Sequence, residues 1–375
     1  MYIADFLNNV SAAQVQLLYE DTFQFLIDPD KESLLQRMGK KPDPGVLSQY
    51  KLMDDFVTLE FSDDPDVLAY LVKQNLAIAS VISVDGEVVS TGAGSLIKFD
   101  GDFFKLAIAH NWDEKKQEQM LKFKRMLPGN MSQTFIDMLY GSVASLQPRV
   151  IKLANVLTWQ VLQSGQVSYT DPRSGVTAKL AYTTTADQYP TALSGTAKWD
   201  AYTTATGLQD IEDHLLNFYD KKGYYPDKIV MSNRLAIHLS RQESTRNRAL
   251  STGMLSNVPA AGVASAVSPE ILMRVVPQLA MSKTQLEIYD AQYEIETAPG
   301  QTVKGRYLND NAYCFLTAGM GKRLFGPTIE NEGRSGLFVK TEQLQTSPPR
   351  DRSYCVGKMV PFFPQPDLLG GRTVA

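Results

Sequence analysis

The chain has 375 residues, with 43% apolar and 21% charged side chains and a formal net charge of −4. That length supports more than one buried core, and those proportions exclude wholesale disorder and argue against nucleic-acid binding as the primary task. No apolar run approaches the roughly 18 residues of a membrane-spanning helix, and the opening MYIADFLNNVSAAQVQ lacks the pattern of a secretory signal.

Charge is distributed unevenly. Residues 1–66 hold 13 acidic and 5 basic side chains, a net of −8, so the remainder nets +4. An acidic segment on a mildly basic body reads as a solvated tail or as a strap laid on another surface. Within it, Val10, Ala13, Leu17, Tyr19 and Phe23 predict an amphipathic helix over 10–27. KKPDPGVLSQY then reads as an extended connector.

Residues 77–109 change character. AIASVISVDGEVV alternates and is rich in β-branched residues, STGAGS has little capacity to pack, and LIKFDGDFFKLAIA returns as β. The pattern predicts a long hairpin with thin cover, which needs something outside itself to lie on. Its apolar side chains Leu96, Phe99, Phe103 and Phe104 are candidate intersubunit contacts.

After a charged stretch and Pro128-Gly129, Ser132 is placed to cap a long helix. Phe135, Leu139, Val143, Leu146, Val150, Ala154, Leu157 and Val161 hold helical spacing over about 30 residues. Pro148 should kink or loosen it one turn earlier, and Gly165 should stop it. QVSYTDPRSGVTAKLAYTT reads as a hairpin turned by Asp171–Gly175. A new unit begins near Gly207, with a helix over Leu208–Lys222 closed by Gly223, a short strand KIVMS, and an arginine-rich helix over Asn233–Leu250. Arg241, Arg246 and Arg248 on it are further candidate contacts. Ser251–Ser268 is loose, Gln285–Glu296 and Ala312–Ala318 are predicted strands, and Pro348-Pro349 sets off a last strand, SYCVGKMVPFF, and a Pro/Gly-rich tail.

The chain carries few signs of catalytic chemistry. It has no phosphate loop and no nucleophile elbow, and Gly92-Ala93-Gly94 reads as a tight turn. Only three histidines occur, and Asp210 and His214, spaced i,i+4, lack a second ligand pair for a metal. Cys314 and Cys355 lie in apolar runs and read as two buried thiols. No catalytic residue, cofactor or metal is expected.

Three stretches, taken in order, resemble a known family. They are KLANVLTWQVLQSGQVSYTDPRSG, GLQDIEDHLLNFYDKKGYYPDKIVMSNRLAIHLSRQ, and LNDNAYCFLTAGMGKRLFGPTIE followed by SYCVGKMVPFFPQPDLLGGRTVA. With the acidic arm and hairpin before them, they resemble the major capsid protein of tailed bacteriophages, of the Hong Kong 97-like fold, and most of all its lambda-type branch. The resemblance is one of pattern and length over nearly the whole chain, not of an invariant motif. It implies an α+β fold with an N-terminal arm at 1–68 and an extended loop at 69–112. The peripheral domain with its spine helix would be 113–206, the axial domain 207–334, and the C-terminal part of the peripheral domain 335–375.

The resemblance further implies a structural protein of the virion, made in the host cytoplasm and self-assembling as hexamers and pentamers into an icosahedral shell. Its partners would be a separate scaffolding protein, a portal and a decoration protein. Packaged DNA would be touched only weakly and non-specifically, and no membrane is involved. No long charged helix precedes the arm, so no fused scaffolding domain is expected, and with the sequence beginning at Met1 no cleaved N-terminal segment is expected either. Alternatives are a tail-tube or portal subunit, or an enzyme with an unrecognised site. Self-cross-linking members of the family join a loop lysine to an asparagine of a neighbour. Lys98 and Lys105 supply the lysine here, but the last asparagine is Asn331, so an uncross-linked shell is expected. The acidic arm is expected to act as a salt-sensitive strap against basic clusters at Lys115–Arg125 and Arg234–Arg248.

Overall fold

A computed structural model of the chain describes residues 52–53, 55–62, 70–73, 95–98, 103–112, 118, 146–254, 267–298, 301–344 and 350–374. The expected helix at 10–27, the connector, the hairpin tips, the first part of the spine helix and most of the loose segment lie outside these residues. In chain order the elements begin with strands β1 (Val57–Phe61), β2 (Tyr70–Lys73), β3 (Ser95–Lys98) and β4 (Phe104–Trp112). Helix α1 (Leu146–Ser164), strands β5 (Gln166–Thr170) and β6 (Thr177–Ala181), helix α2 (Gly207–Lys222) and strand β7 (Lys228–Met231) follow. Helices α3 (Asn233–Arg241), α4 (Glu243–Ser251) and α5 (Pro269–Val275) lead to strands β8 (Gln285–Ile288), β9 (Gln292–Ala298) and β10 (Gln301–Arg306). The chain ends with β11 (Ala312–Leu316), β12 (Gly321–Gly326), β13 (Phe338–Leu344), β14 (Arg350–Phe362) and β15 (Gly371–Thr373).

The first unit is built on β14. Along one edge it pairs antiparallel with β4, from Asp351↔Trp112 to Met359↔Phe104. Along the other it takes β13 and then β12, and β1 adds to β12 in parallel. Helix α1 covers this sheet. Leu146, Val150, Ala154, Leu157 and Val161 of its predicted stripe are all buried, and Trp159 stacks on Tyr289 at 4.8 Å. Pro148 stands in the first described turn of α1, and the kink expected one turn earlier falls outside the described residues. Gly165 ends the helix at φ 70°, and a Cβ there would come within 2.7 Å of Thr184.

The second unit is an α+β layer. Its sheet runs β15-β11-β7-β8, with β7 and β8 parallel. Helix α2 places Leu208, Ile211, Leu215 and Phe218 in the core and closes on Gly223 at φ 81°. Ser232 caps α3, its Oγ accepting from the Leu235 N–H at 3.1 Å. No helix among the described residues is long and apolar enough to cross a membrane.

Three predicted elements divide. The helix expected over Asn233–Leu250 breaks at Gln242, which is extended at φ −65°, ψ 140°. The buried Gln242 side chain accepts from the Gly207 N–H at 2.7 Å and donates to the Trp199 carbonyl at 3.2 Å. At the break itself the Glu243 N–H, which has lost its helical partner, donates to the Tyr202 carbonyl at 3.0 Å. The strand expected over Gln285–Glu296 becomes β8, in the second sheet, and β9, in a separate hairpin with β10. The β run expected over 96–109 becomes β3, paired with β2, and β4, paired with β14. Pairing also crosses the expected domain division at 334 in both directions. β12 belongs to the β14 sheet, and β15 belongs to the sheet of β7 and β11.

Candidate assembly surfaces

The expected contact residues separate into three situations. Phe103 and Phe104 are half-buried against the chain's own core. The Phe103 ring lies over Gly326, where a Cβ would meet it at 2.6 Å. The expected hairpin needs something outside itself to lie on, and for β4 its own chain supplies it: the thirteen-residue β14 offers an edge, and β4 takes it. Leu96 lies in β3 opposite Val72. Phe99 lies outside the described residues.

The arginines also divide. Arg248 holds Glu212 in a two-bond fork, at 2.7 and 3.1 Å, and Glu212 also accepts from the Ala280 N–H at 3.0 Å. That guanidinium keeps the Glu212 carboxyl below its ordinary range. Arg248 is therefore an internal strut joining α4 to α2. Arg241 is exposed and lies over the Tyr202 ring at 5.9 Å, while Arg246 is half-buried on α4.

Asp210 and His214, one turn apart on α2, do not converge. Asp210 accepts from the Trp199 indole at 2.8 Å. His214 lies between the Tyr313 hydroxyl at 2.8 Å and the Asp187 carbonyl at 3.1 Å. A carbonyl can only accept, so His214 donates from Nε2 and, as a neutral ring, accepts a hydrogen bond from the Tyr313 hydroxyl on Nδ1. Burial pushes its pKa down to about 4. Among the described residues no group of three or more His, Cys, Asp or Glu is arranged to hold a metal. Cys314 and Cys355 are buried free thiols, and burial raises the Cys355 thiol to about 12.

Two surface features escaped the sequence reading. One is the loop 327–335 between β12 and β13, which carries Ile329 at 89% exposure. Glu330 in it is ion-paired to Lys105 of β4, and Lys358, opposite Lys105 in register, adds to the pull that lowers the Glu330 carboxyl's pKa. The turn residues Asn331-Glu332-Gly333 are visible in the sequence, but nothing there marks Ile329 as outward. The other is a groove of about 970 Å³ between β4, α1 and the β9–β10 hairpin. Leu106, Ile108, Val150 and Leu153 supply its apolar lining, and Arg149, Lys152 and Arg352 stand on its rim together with the carboxylates of Asp171, Glu294 and Glu296. Its parts come from segments up to about 246 residues apart, Leu106 and Arg352, which no local pattern reveals.

A crystal structure described as a candidate capsid protein of a prophage from E. coli CFT073 superposes on the chain with a TM-score of 0.52 at 11% identity. The match covers 95% of this chain and 99% of that one. The satellite phage P4 procapsid gives 0.42 at 7% identity, over 91% of this chain and 97% of that one. The capsid of Myoviridae phage XM1 gives 0.36 at 12% identity, over 84% and 88%. These last two scores are too low to add to the assignment. No protein-family profile and no curated protein matches the chain. The first match shows the fold, an α+β Hong Kong 97-like capsid fold along nearly the whole chain.

Proposed function

We propose that the protein is the major capsid subunit of a tailed double-stranded DNA phage, a structural protein that assembles with copies of itself into an icosahedral shell. The observation that carries this reading is the fold match to a prophage capsid protein, at a TM-score of 0.52 over 95% of this chain and 99% of that one. Within that fold we assign the chain to the lambda-type branch, with hexamers and pentamers in the shell, a separate scaffolding protein, a portal and a decoration protein. The protein is made in the host cytoplasm and ends in the virion.

The pairing of strands supports a revised division of labour. The peripheral domain takes β1, β4, α1, β12, β13 and β14, and the axial domain takes α2 to α5 with β7, β8, β11 and β15. The deciding experiment is light scattering and negative-stain microscopy of the purified protein, alone and with its scaffolding partner. Icosahedral particles support the reading. A monodisperse monomer or dimer under every condition overturns it, and tubes or twelve-membered rings point to the tail or portal alternative.

We further propose that packing, not isopeptide bonds, holds the shell. Lys105 is engaged by Glu330, and the Asn331 side-chain amide donates to the Arg334 carbonyl at 3.3 Å. Boiled particles should give a single band at monomer mass on a denaturing gel; a ladder that survives boiling and reductant would contradict this.

A further inference from the structure

We propose that residues 279–283, between α5 and β8, form a strained two-state turn, which the Arg248–Glu212 pair clasps in the conformation that holds Met281 in solvent. The turn breaks a local rule of sequence. Ala280, Met281 and Lys283 have φ values of 49°, 51° and 60°. Those values lie in the left-handed region, where a Cβ crowds the following carbonyl and glycine or asparagine is the usual choice. The Ser282 N–H donates to the Leu279 carbonyl at 3.0 Å. Two successive left-handed residues closed by that bond make a type I′ turn, which favours Asn-Gly or Asp-Gly at the positions filled here by Ala280-Met281. Among the described residues only Glu332 joins these three as a non-glycine with positive φ. Strain of this kind persists only where the surroundings over-determine it, and it gathers at clamps and switch segments.

The bonds that impose it are few. Leu279 and Thr284 fix the two ends in the core, at 0% and 1% exposure. The Thr284 hydroxyl donates to the Pro226 carbonyl at 2.8 Å, and the Thr284 N–H donates to the Ser282 hydroxyl at 3.2 Å. The Lys283 N–H donates to the Pro277 carbonyl at 3.2 Å. Among the described residues, one bond from another element reaches the left-handed pair: the Ala280 N–H donates to Glu212 Oε1 of α2 at 3.0 Å. The Arg248 fork aims that carboxylate and keeps it ionised, which makes the bond to Ala280 charge-assisted. Met281 is 91% exposed, so packing on its own chain does not hold it in place. With the clasp closed, the left-handed pair is held and the Met281 side chain is displayed. With the clasp open, Ala280 and Met281 relax to the right-handed or extended backbone that L-residues prefer, and the display is lost. The device belongs to the subunit and does not depend on the shell reading.

The test is limited trypsin digestion of the full chain under native conditions, with each cut bond quantified by mass spectrometry. A protease takes its substrate as an extended strand, so cleavage of the Lys283–Thr284 bond reports the open turn. Cleavage after the part-buried Lys222, in the last turn of α2, reports unfolding of the whole unit. Glu212→Ala should raise cleavage at Lys283 roughly tenfold, because a charge-assisted bond is lost, with cleavage after Lys222 unchanged. Equal rises at both sites would mean that the turn opens only with the unit and would overturn the proposal, as would no rise at either. Glu212→Gln, which keeps an acceptor oxygen but loses the ion pair, gives the same comparison should Glu212→Ala not fold. A second arm separates strain from a lost contact. Adding Ala280→Gly to the Glu212 variant removes a left-handed penalty, so cleavage at Lys283 should fall back roughly fivefold. A turn loosened without strain would be cut as fast or faster with the extra glycine, and that result would overturn the proposal.

Discussion

The two units are held together by different means. The β14 sheet gathers segments from across the chain: β1 near residue 60, β4 near 108, α1 near 155, and β12 to β14 beyond 320. Its coherence comes from main-chain ladders between distant strands and from one helix stripe. The α+β unit is more local, running from Trp199 to Leu316 with β15 returning to close its sheet. Its ties are side chains that bond to main chain or to one another: Gln242 to Gly207, Arg248 to Glu212, His214 to Tyr313. The first unit should therefore fail through lost packing, and the second through lost or altered polar groups.

The largest expected effect breaks the first unit. Trp159 is 1% exposed and stacks on Tyr289, which follows β8 and bonds to β7 of the second sheet. Trp159→Ala should cost about 4 kcal/mol, from lost transfer energy and the cavity left behind. Hydrogen exchange should show β4 and β14 amides losing most protection, β7 and β8 beside Tyr289 losing some, and the α3 and α4 amides keeping theirs. Equal loss in both sheets would mean that the two units are one cooperative body.

Next comes pH, acting on the second unit. The His214 pKa falls from 6.5 to about 4 on folding, because burial disfavours the charged ring. As pH falls below 6.5 the unfolded chain takes up a proton that the folded chain refuses. Stability is thus intact above about pH 6.5, falls by about 1.4 kcal/mol per unit, and levels off near pH 4, a total of roughly 3 kcal/mol. Urea unfolding at pH 7, 5.5 and 4.5 reads this out, and His214→Gln should remove most of the slope. An equal slope in that variant would place the proton uptake elsewhere.

A smaller effect probes the break between α3 and α4. Gln242→Ala leaves the buried Gly207 N–H without its acceptor and the Trp199 carbonyl without its donor. The expected cost is roughly 2 kcal/mol in urea unfolding. A neutral result would mean that the break is set by the backbone and not by this side chain.

This contrast also separates what the sequence discloses from what it hides. The α1 stripe, the α2 face with Gly223 behind it, the buried strand β7 and the long β14 are all legible, because each is written in local periodicity and local breakers. Gln242 is not legible. Nothing about a glutamine in an arginine-rich helical stretch says that its amide will bond to residues 35 and 43 positions earlier. Nor is β4, because its partner lies about 240 residues away and an alternating run looks the same whether its neighbour is its own chain or another. The candidate surface suffers most. Phe103 and Phe104 are apolar and half-buried against the chain's own core, whereas Ile329, a single aliphatic residue between Thr328 and Glu330, is 89% exposed. Exposure is a property of the assembled fold, and the burial of Phe103 over Gly326 depends on a glycine more than two hundred residues away.

The smallest expected effect sharpens the comparison from the other side. Lys322 of β12 reaches Glu60 of β1 at 2.6 Å, with the two side chains 45% and 47% exposed. In the second unit a polar tie is half-buried and structural; here an ion pair lies open on a parallel ladder that already carries the strand. Solvent screens such a pair, and holding two long side chains costs entropy, so Glu60→Gln should change stability by no more than about 0.5 kcal/mol. The difference should shrink further when salt is raised from 0.1 M to 1 M, as the Debye length falls from about 10 Å to about 3 Å. Paired urea unfolding curves at the two salt concentrations measure it. A loss near 2 kcal/mol that persists in high salt would mean that β1 is held to the sheet by charge, and that the first unit depends on polar ties as much as the second does.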